Sequence, residues 1–297
     1  MAPRGHQLTT FLYGLGAGRR RLPALPPALP PAQQQDWALG TDEGEVLLGG
    51  VHPAIQMDDT TCGSAAIVVA QASDATQTVA AQLGLTGEAN IDAAYVKEKF
   101  ESLQRATKQQ TNKRHRLFTW PHSWGTPPWG AARTMRFSGH AYYDRMVVDT
   151  SLPQSTRVLT HAAQCAQRGY PVLLYVGGDT SMRWNAGMPR HVVVLHAAAR
   201  NAEDVETLSG LNVPRTGDAH DDAQIAELAR TLNKTLKDAY DVEPDCRLYI
   251  YDPATGRNVA VTLRDLIDQK TPKAALGGWP HITWVVLPKL AGTQEKK

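Results

Sequence analysis

The chain has 297 residues, enough to bury a sizeable core in one large domain or two small ones. Its hydrophobic fraction of 42% is that of an ordinary globular protein, and its net charge of +2 comes from interspersed acids and bases, so nothing global points to nucleic acid or an anionic membrane as partner. No apolar run approaches the roughly 20 residues that span a bilayer, and three widely spaced cysteines, Cys62, Cys165 and Cys246, form neither a disulfide framework nor a metal-ligand spacing.

Residues 1–35 contain no acid, four arginines (Arg4, Arg19, Arg20 and Arg21) and repeated prolines from Pro23 to Pro31. The prolines interrupt the apolar stretch that a secretion signal requires, which predicts a disordered, PPII-prone leader. The expected location is then cytoplasmic, or outside the cell by a route that needs no signal peptide. One domain is expected over 36–290, followed by a polar tail at 291–297. Val46 to Val51 reads as a strand and a Gly49-Gly50 turn. Thr60-Thr61 offers an N-cap for a helix from Cys62 to about Leu83, closed by Gly84. A second helix is predicted from Asn90 to Gln109, with Ile91, Ala94, Tyr95, Phe100 and Leu103 on one face. Arg114 to Gly139, rich in Trp, Pro and Gly, reads as ordered loop with a helix after Pro127-Pro128.

Further on, Val158, Leu159, Ala162, Cys165 and Ala166 give helical spacing over Ser155 to Arg168, which Gly169 ends. Pro171 to Val176 and Val192 to Ala197 are nearly continuous apolar runs, as expected of central strands covered on two faces. An inserted segment at 201–245 is polar at first and then carries an amphipathic helix over Asp222 to Tyr240, with Ile225, Leu228, Leu232 and Leu236 in the stripe. Leu248 to Tyr251, Val259 to Thr262 and Ile282 to Leu287 are further strands. Helices first and strands later predict an α+β fold, a helical half packed on an antiparallel sheet.

The chemistry centres on Gln56-Met57-Asp58-Asp59-Thr60-Thr61-Cys62-Gly63-Ser64. A cysteine in the first turn of a helix meets unpaired N–H groups and the positive end of the helix dipole, which favour thiolate over thiol. Gly63 leaves room for a substrate backbone, and the Gln56 amide and Cys62 N–H can hold an oxyanion. Alone, Cys-Gly at a helix start describes a buried core cysteine at least as well. Downstream, His191 stands at the entrance to an apolar strand, and Asp252 ends another before the turn Pro253-Ala254-Thr255-Gly256. Asp252 would fix the tautomer of His191 and leave its other ring nitrogen for the Cys62 proton.

In this order, Gln56, Cys62-Gly63, Gly169-Tyr170-Pro171-Val172, His191-Val192-Val193 and Asp252-Pro253-Ala254-Thr255-Gly256 resemble the C39-type branch of the papain-like cysteine peptidases, over roughly Val51 to Pro288. The resemblance implies a papain-like fold, a catalytic triad of Cys62, His191 and Asp252, and Gln56 in the oxyanion hole. It implies no cofactor and no metal, and a peptide or protein as the partner. Two departures stand out: Thr61 replaces the Asp that many members carry before the cysteine, and the 201–245 insert lengthens the His191-to-Asp252 separation. The same set serves protein deamidases and transglutaminase-like acyl transferases, and a papain-fold module that binds peptides without turnover is the non-enzymatic alternative.

Rivals exist for each role. His196 lies on the same strand as His191 and points to the opposite face; His281, His140 and His122 are weaker. Asp58 and Asp59 are expected to flank the substrate entrance, Cys165 to lie in the core, and Trp120, Trp124 and Trp129 to wall a loop. Gly49-Gly50 is also a possible self-cleavage site, though such pairs are mostly plain turns.

Overall fold

The computed structural model describes residues 21–30, 39–40, 42–76, 78–86, 91–113, 125–139, 141–149, 153–178, 189–197, 245–267, 271 and 273–290. In chain order the elements are β1 (Gly44–Glu45), β2 (Leu47–Leu48), β3 (His52–Pro53), α1 (Cys62–Ala72), α2 (Thr78–Gln82), α3 (Ala93–Thr111) and α4 (Pro128–Thr134). Then come β4 (Ala141–Val147), α5 (Pro153–Gln167), β5 (Val172–Gly177), β6 (His191–His196), β7 (Arg247–Asp252), β8 (Arg257–Thr262), α6 (Leu263–Ile267), a 3-10 turn (Lys273–Leu276) and β9 (His281–Leu290).

Seven strands form one antiparallel sheet in the order β1-β8-β7-β6-β5-β9-β4, and β2 pairs with β3 in a small hairpin. The fold is therefore mixed α and β, with a large antiparallel sheet and several helices, as α+β requires. Every residue of β5 and β6 is buried, which is why these strands read as apolar runs rather than alternating ones. Helix α1 packs on β6, and α5 packs across β5, β6, β7 and β9. No helix among the described residues is long and apolar enough to cross a membrane.

Three expectations change. The predicted helix from Cys62 to Leu83 breaks after Ala72, because the buried Asp74 takes the backbone N–H and hydroxyl of Thr76 at 2.9 and 2.8 Å and also accepts from Ser138 N–H. A short acidic side chain that bonds its own backbone competes with helix continuation. Strand β4 falls in a stretch given no element, where Asp144 and Arg145 interrupt the alternation; it gains its order by pairing along β9. Residues 21–30, counted within a disordered leader, run without regular structure against the body. Leu29 is buried, its N–H donates to Arg168 O at 2.9 Å, and the Arg168 guanidinium donates to Pro26 O at 2.7 Å. Prolines that forbid a helix leave an extended backbone suited to such a strap. The rest of the expected leader and the 201–245 insert with its amphipathic helix lie outside the described residues, apart from Asp245.

Candidate active site

The register of β6 against β7 sets Val194 opposite Tyr251 and Leu195 opposite Ile250. Continued by one step, it sets Asp252 opposite Val193, so His191, two residues before Val193, is the diagonal neighbour of Asp252 on the same face. The two side chains meet, His191 Nε2 to Asp252 Oδ1, at 2.6 Å, although 61 residues separate them in sequence. Asp252 is 1% exposed, and Oδ1 also accepts the Ala254 N–H at 2.8 Å. The turn that follows closes with Gly256 N–H on Asp252 O at 2.8 Å, with Gly256 at φ +66°. On another side of the imidazole lies Gly277, at φ +58°: a Cβ there would stand 2.3 Å from His191 Cδ2. Glycine is required at that position both by its left-handed backbone and by the ring.

Cys62 opens α1. The N-cap, Thr61, makes no side-chain bond to the first turn, and no acid occupies that turn, so neither a cap nor a carboxylate offsets the helix N-terminus beside the sulfur. Thr61 instead ties down the preceding loop: its hydroxyl accepts the Asp58 N–H at 3.0 Å and donates to Asp58 O at 2.9 Å. Cys62 and His191 line the same cavity, and the sulfur favours the protonated form of the ring. Since Nε2 of His191 is engaged with Asp252, Nδ1 is the nitrogen left for the sulfur. Burial works against charge on this ring, but the hydrogen bonds and negative charges of Asp252 and Cys62 outweigh it and raise His191 to about 10. The site thus favours the protonated form of His191.

Both side chains open on a cavity of about 240 Å³, whose wall includes Tyr175, Thr126, Arg190 and Trp279. Asp59 also lines it, while Asp58 caps its own turn through Thr60. The space beside Gly63 is not left for substrate. A Cβ on Gly63 would stand 2.5 Å from Thr126 Cβ, so that glycine admits the buried Thr126 against the helix start.

Gln56 is placed differently from the other three. Its Nε2 donates to Asp58 O at 3.0 Å, and it is not among the residues lining the cavity. Its backbone N–H donates to Pro253 O at 2.7 Å, which ties the loop before Cys62 to the turn after Asp252. Gln104 of α3, fully buried, takes the Met57 N–H at 3.0 Å and holds the same loop from the other side.

Among the rivals, His196 is buried at the other end of β6 on Asn258, Nε2 to Oδ1 at 3.0 Å. Burial lowers it to about 4, more than its hydrogen bonds to Asn258 and the Ala197 backbone restore. Cys165 is fully buried on α5, and desolvation pushes its thiol up to about 12. His122, His140, Trp120 and Trp124 lie outside the described residues, and Trp129 belongs to α4. Gly49-Gly50 forms the β2–β3 turn, both residues at positive φ. Among the described residues no group of three metal-binding side chains comes together. Tyr175, Thr126, Trp279 and Gly277 are members of the site that the sequence left unassigned; only Gly277-Gly278-Trp279-Pro280, a turn signal carrying an aromatic, hinted at two of them. No protein family model, curated protein or solved structure matches the chain.

Proposed function

We propose that the protein is a thiol hydrolase of papain-like design that cleaves peptide or amide bonds, with Cys62 as nucleophile, His191 as acid and base and Asp252 as the group that orients His191. The observation that carries this reading is one imidazole held by a buried carboxylate, with a cysteine at a helix start lining the same cavity. A binding module has no use for that set, since burying a charged pair costs several kcal/mol unless something is gained by it. In the proposed cycle the Cys62 sulfur attacks the carbonyl carbon and the carbonyl electron pair moves to oxygen, where the Cys62 N–H can receive it. His191 Nδ1–H gives its proton to the departing nitrogen. Water, losing a proton to His191, then displaces the thioester sulfur and releases the acid. Gln56, expected as a second oxyanion donor, gives an amide N–H to Asp58 O and does not line the cavity.

The test is labelling with iodoacetamide near neutral pH, read by mass spectrometry at each cysteine. Cys62 is expected to react at least about tenfold faster than Cys165 or Cys246, and His191→Ala to remove that advantage. Equal rates at all three would leave no enzyme to discuss. A glutamine-containing peptide library, scored for ammonia against new N-termini, then separates a deamidase from a peptidase.

A further inference from the structure

Two hydroxyls in the cavity wall have no hydrogen-bond partner among the described residues, Tyr175 Oη and Thr126 Oγ1. Buried polar atoms are nearly always satisfied, so an orphan on a residue that lines a cavity beside a nucleophile calls for an acceptor brought in from outside. Tyr175 is the more telling of the two. It is 1% exposed on the central strand β5 and stands opposite Val192, one residue from His191, in the β5–β6 ladder. Its own carbonyl accepts the Thr283 hydroxyl at 3.1 Å, which fixes the strand where the ring departs. Tyr175 and Cys62 line the same cavity. Burial and then the charge of the Cys62 sulfur raise the Tyr175 hydroxyl well above its ordinary range, so it remains a donor at any working pH. Thr126, by contrast, is set against Gly63 and the flank of α1.

We propose that the Tyr175 hydroxyl is the side-chain donor to the carbonyl oxygen that Cys62 attacks, completing with the Cys62 N–H the oxyanion site expected of Gln56. This rests on the thiol-hydrolase reading and assigns that site a catalytic residue. As the S–C bond forms, the carbonyl electron pair settles on oxygen and Tyr175 strengthens a hydrogen bond to it without losing its proton. When the pair returns, the leaving group departs. Gln56 is then a positioning residue, joining the Cys62 loop to the Asp252 turn through its backbone and Asp58.

The experiment compares two reactions of Cys62 in the full chain. Acylation by 4-nitrophenyl acetate, read as the burst of nitrophenolate, passes through a tetrahedral oxyanion; alkylation by iodoacetamide does not, and both need the same sulfur. In Tyr175→Phe, which removes one oxygen and no packing, acylation is expected to fall about 10²- to 10³-fold while alkylation stays within about twofold of wild type. Gln56→Ala is expected to change the acylation-to-alkylation ratio by less than about threefold. A Tyr175→Phe protein whose ratio is unchanged, or in which both reactions slow alike, overturns the proposal, and so does a ratio that falls in Gln56→Ala or Thr126→Val instead. Wild-type Cys62 reacting no faster than Cys165 with either reagent is a separate outcome; it removes the hydrolase reading and the proposal with it.

Discussion

Strand β6 begins and ends with a histidine, and the two ends of the molecule treat them oppositely. His191 and His196 are both buried, and each presents Nε2 to an oxygen of a neighbouring strand, Asp252 Oδ1 at 2.6 Å and Asn258 Oδ1 at 3.0 Å. Yet His191 is raised to about 10 and His196 lowered to about 4. Burial disfavours the imidazolium at both ends, so burial is not the difference. The difference is charge: a carboxylate and a cysteine sulfur meet the first ring, while an amide and the stacked Tyr249 ring, 5.7 Å away, meet the second. The same backbone setting thus favours a protonated ring at one end. At the other it makes a pin, since Asn258 also donates to the carbonyls of Leu39 and Asp42 and ties the chain before β1 to the sheet.

The comparison is broken most directly by Asp252→Asn, which gives His191 the partner His196 has. The amide oxygen can still accept from Nε2–H, so the tautomer that leaves Nδ1 for Cys62 is preserved and the loss should stay below the roughly 10⁴-fold of a triad whose tautomer is inverted. Acylation of Cys62 by 4-nitrophenyl acetate is expected to fall about 10²-fold, because the ring loses the charge that favours its protonated form. The His191 titration, followed by NMR, should move down toward the ordinary histidine range. A titration that stays where it is would show that the sulfur alone sets the ring's charge.

A smaller effect is expected of Gly277→Ala, which leaves every charge in place. The new methyl would stand 2.3 Å from His191 Cδ2, and its backbone at φ +58° suits glycine, so the ring or the turn must move. About tenfold slower alkylation of Cys62 is expected, together with a stability loss of about 1–3 kcal/mol in urea unfolding. Unchanged alkylation with the same stability loss would mean that the turn yields and the ring does not.

These contrasts also mark what the sequence could disclose. Cys62, His191 and Asp252 were legible because each stands at an element boundary with its own local signature: a helix start, a strand entrance, a turn after a strand. The antiparallel register then brings the last two together across a long insert without any further information. The strands β5 and β6 were legible because burial on both faces leaves an unbroken apolar run. Tyr175 was hidden for the same reason, since a tyrosine inside Val172-Leu-Leu-Tyr-Val176 looks like core until its place in the cavity wall is known. Gln56 shows the opposite limit. Its position before the cysteine fits an oxyanion donor, but which way an amide points depends on loop bonds, here to Asp58 O, that no spacing encodes. The break in the Cys62 helix turned on Asp74 being buried against Ser138 N–H, a contact 64 residues long.

The far end supplies the sharpest check, because there the two histidines pull stability in opposite directions with pH. Between about 4 and the ordinary 6.5 an unfolded chain takes up a proton that the folded His196 refuses, so stability falls as pH drops through that window. His161 on α5, lowered to about 4 by burial and then by Arg168, adds to the same limb. His191 acts the other way. Its stabilisation is complete below 6.5 and is lost as pH rises through about 10, where the folded chain finally releases a proton the unfolded chain gave up earlier. Asn258→Asp would hand His196 a carboxylate and is expected to flatten the acid limb in thermal melts from pH 4 to 7. It would also turn an oxygen toward the Leu39 and Asp42 carbonyls in place of the amide donor, costing about 2–3 kcal/mol at pH 7. Alkylation of Cys62 should be unaffected, because no charge near the sulfur changes. If Asn258→Asp slowed alkylation as strongly as a change at Asp252, the two ends of β6 would be one electrostatic unit rather than two independent ones.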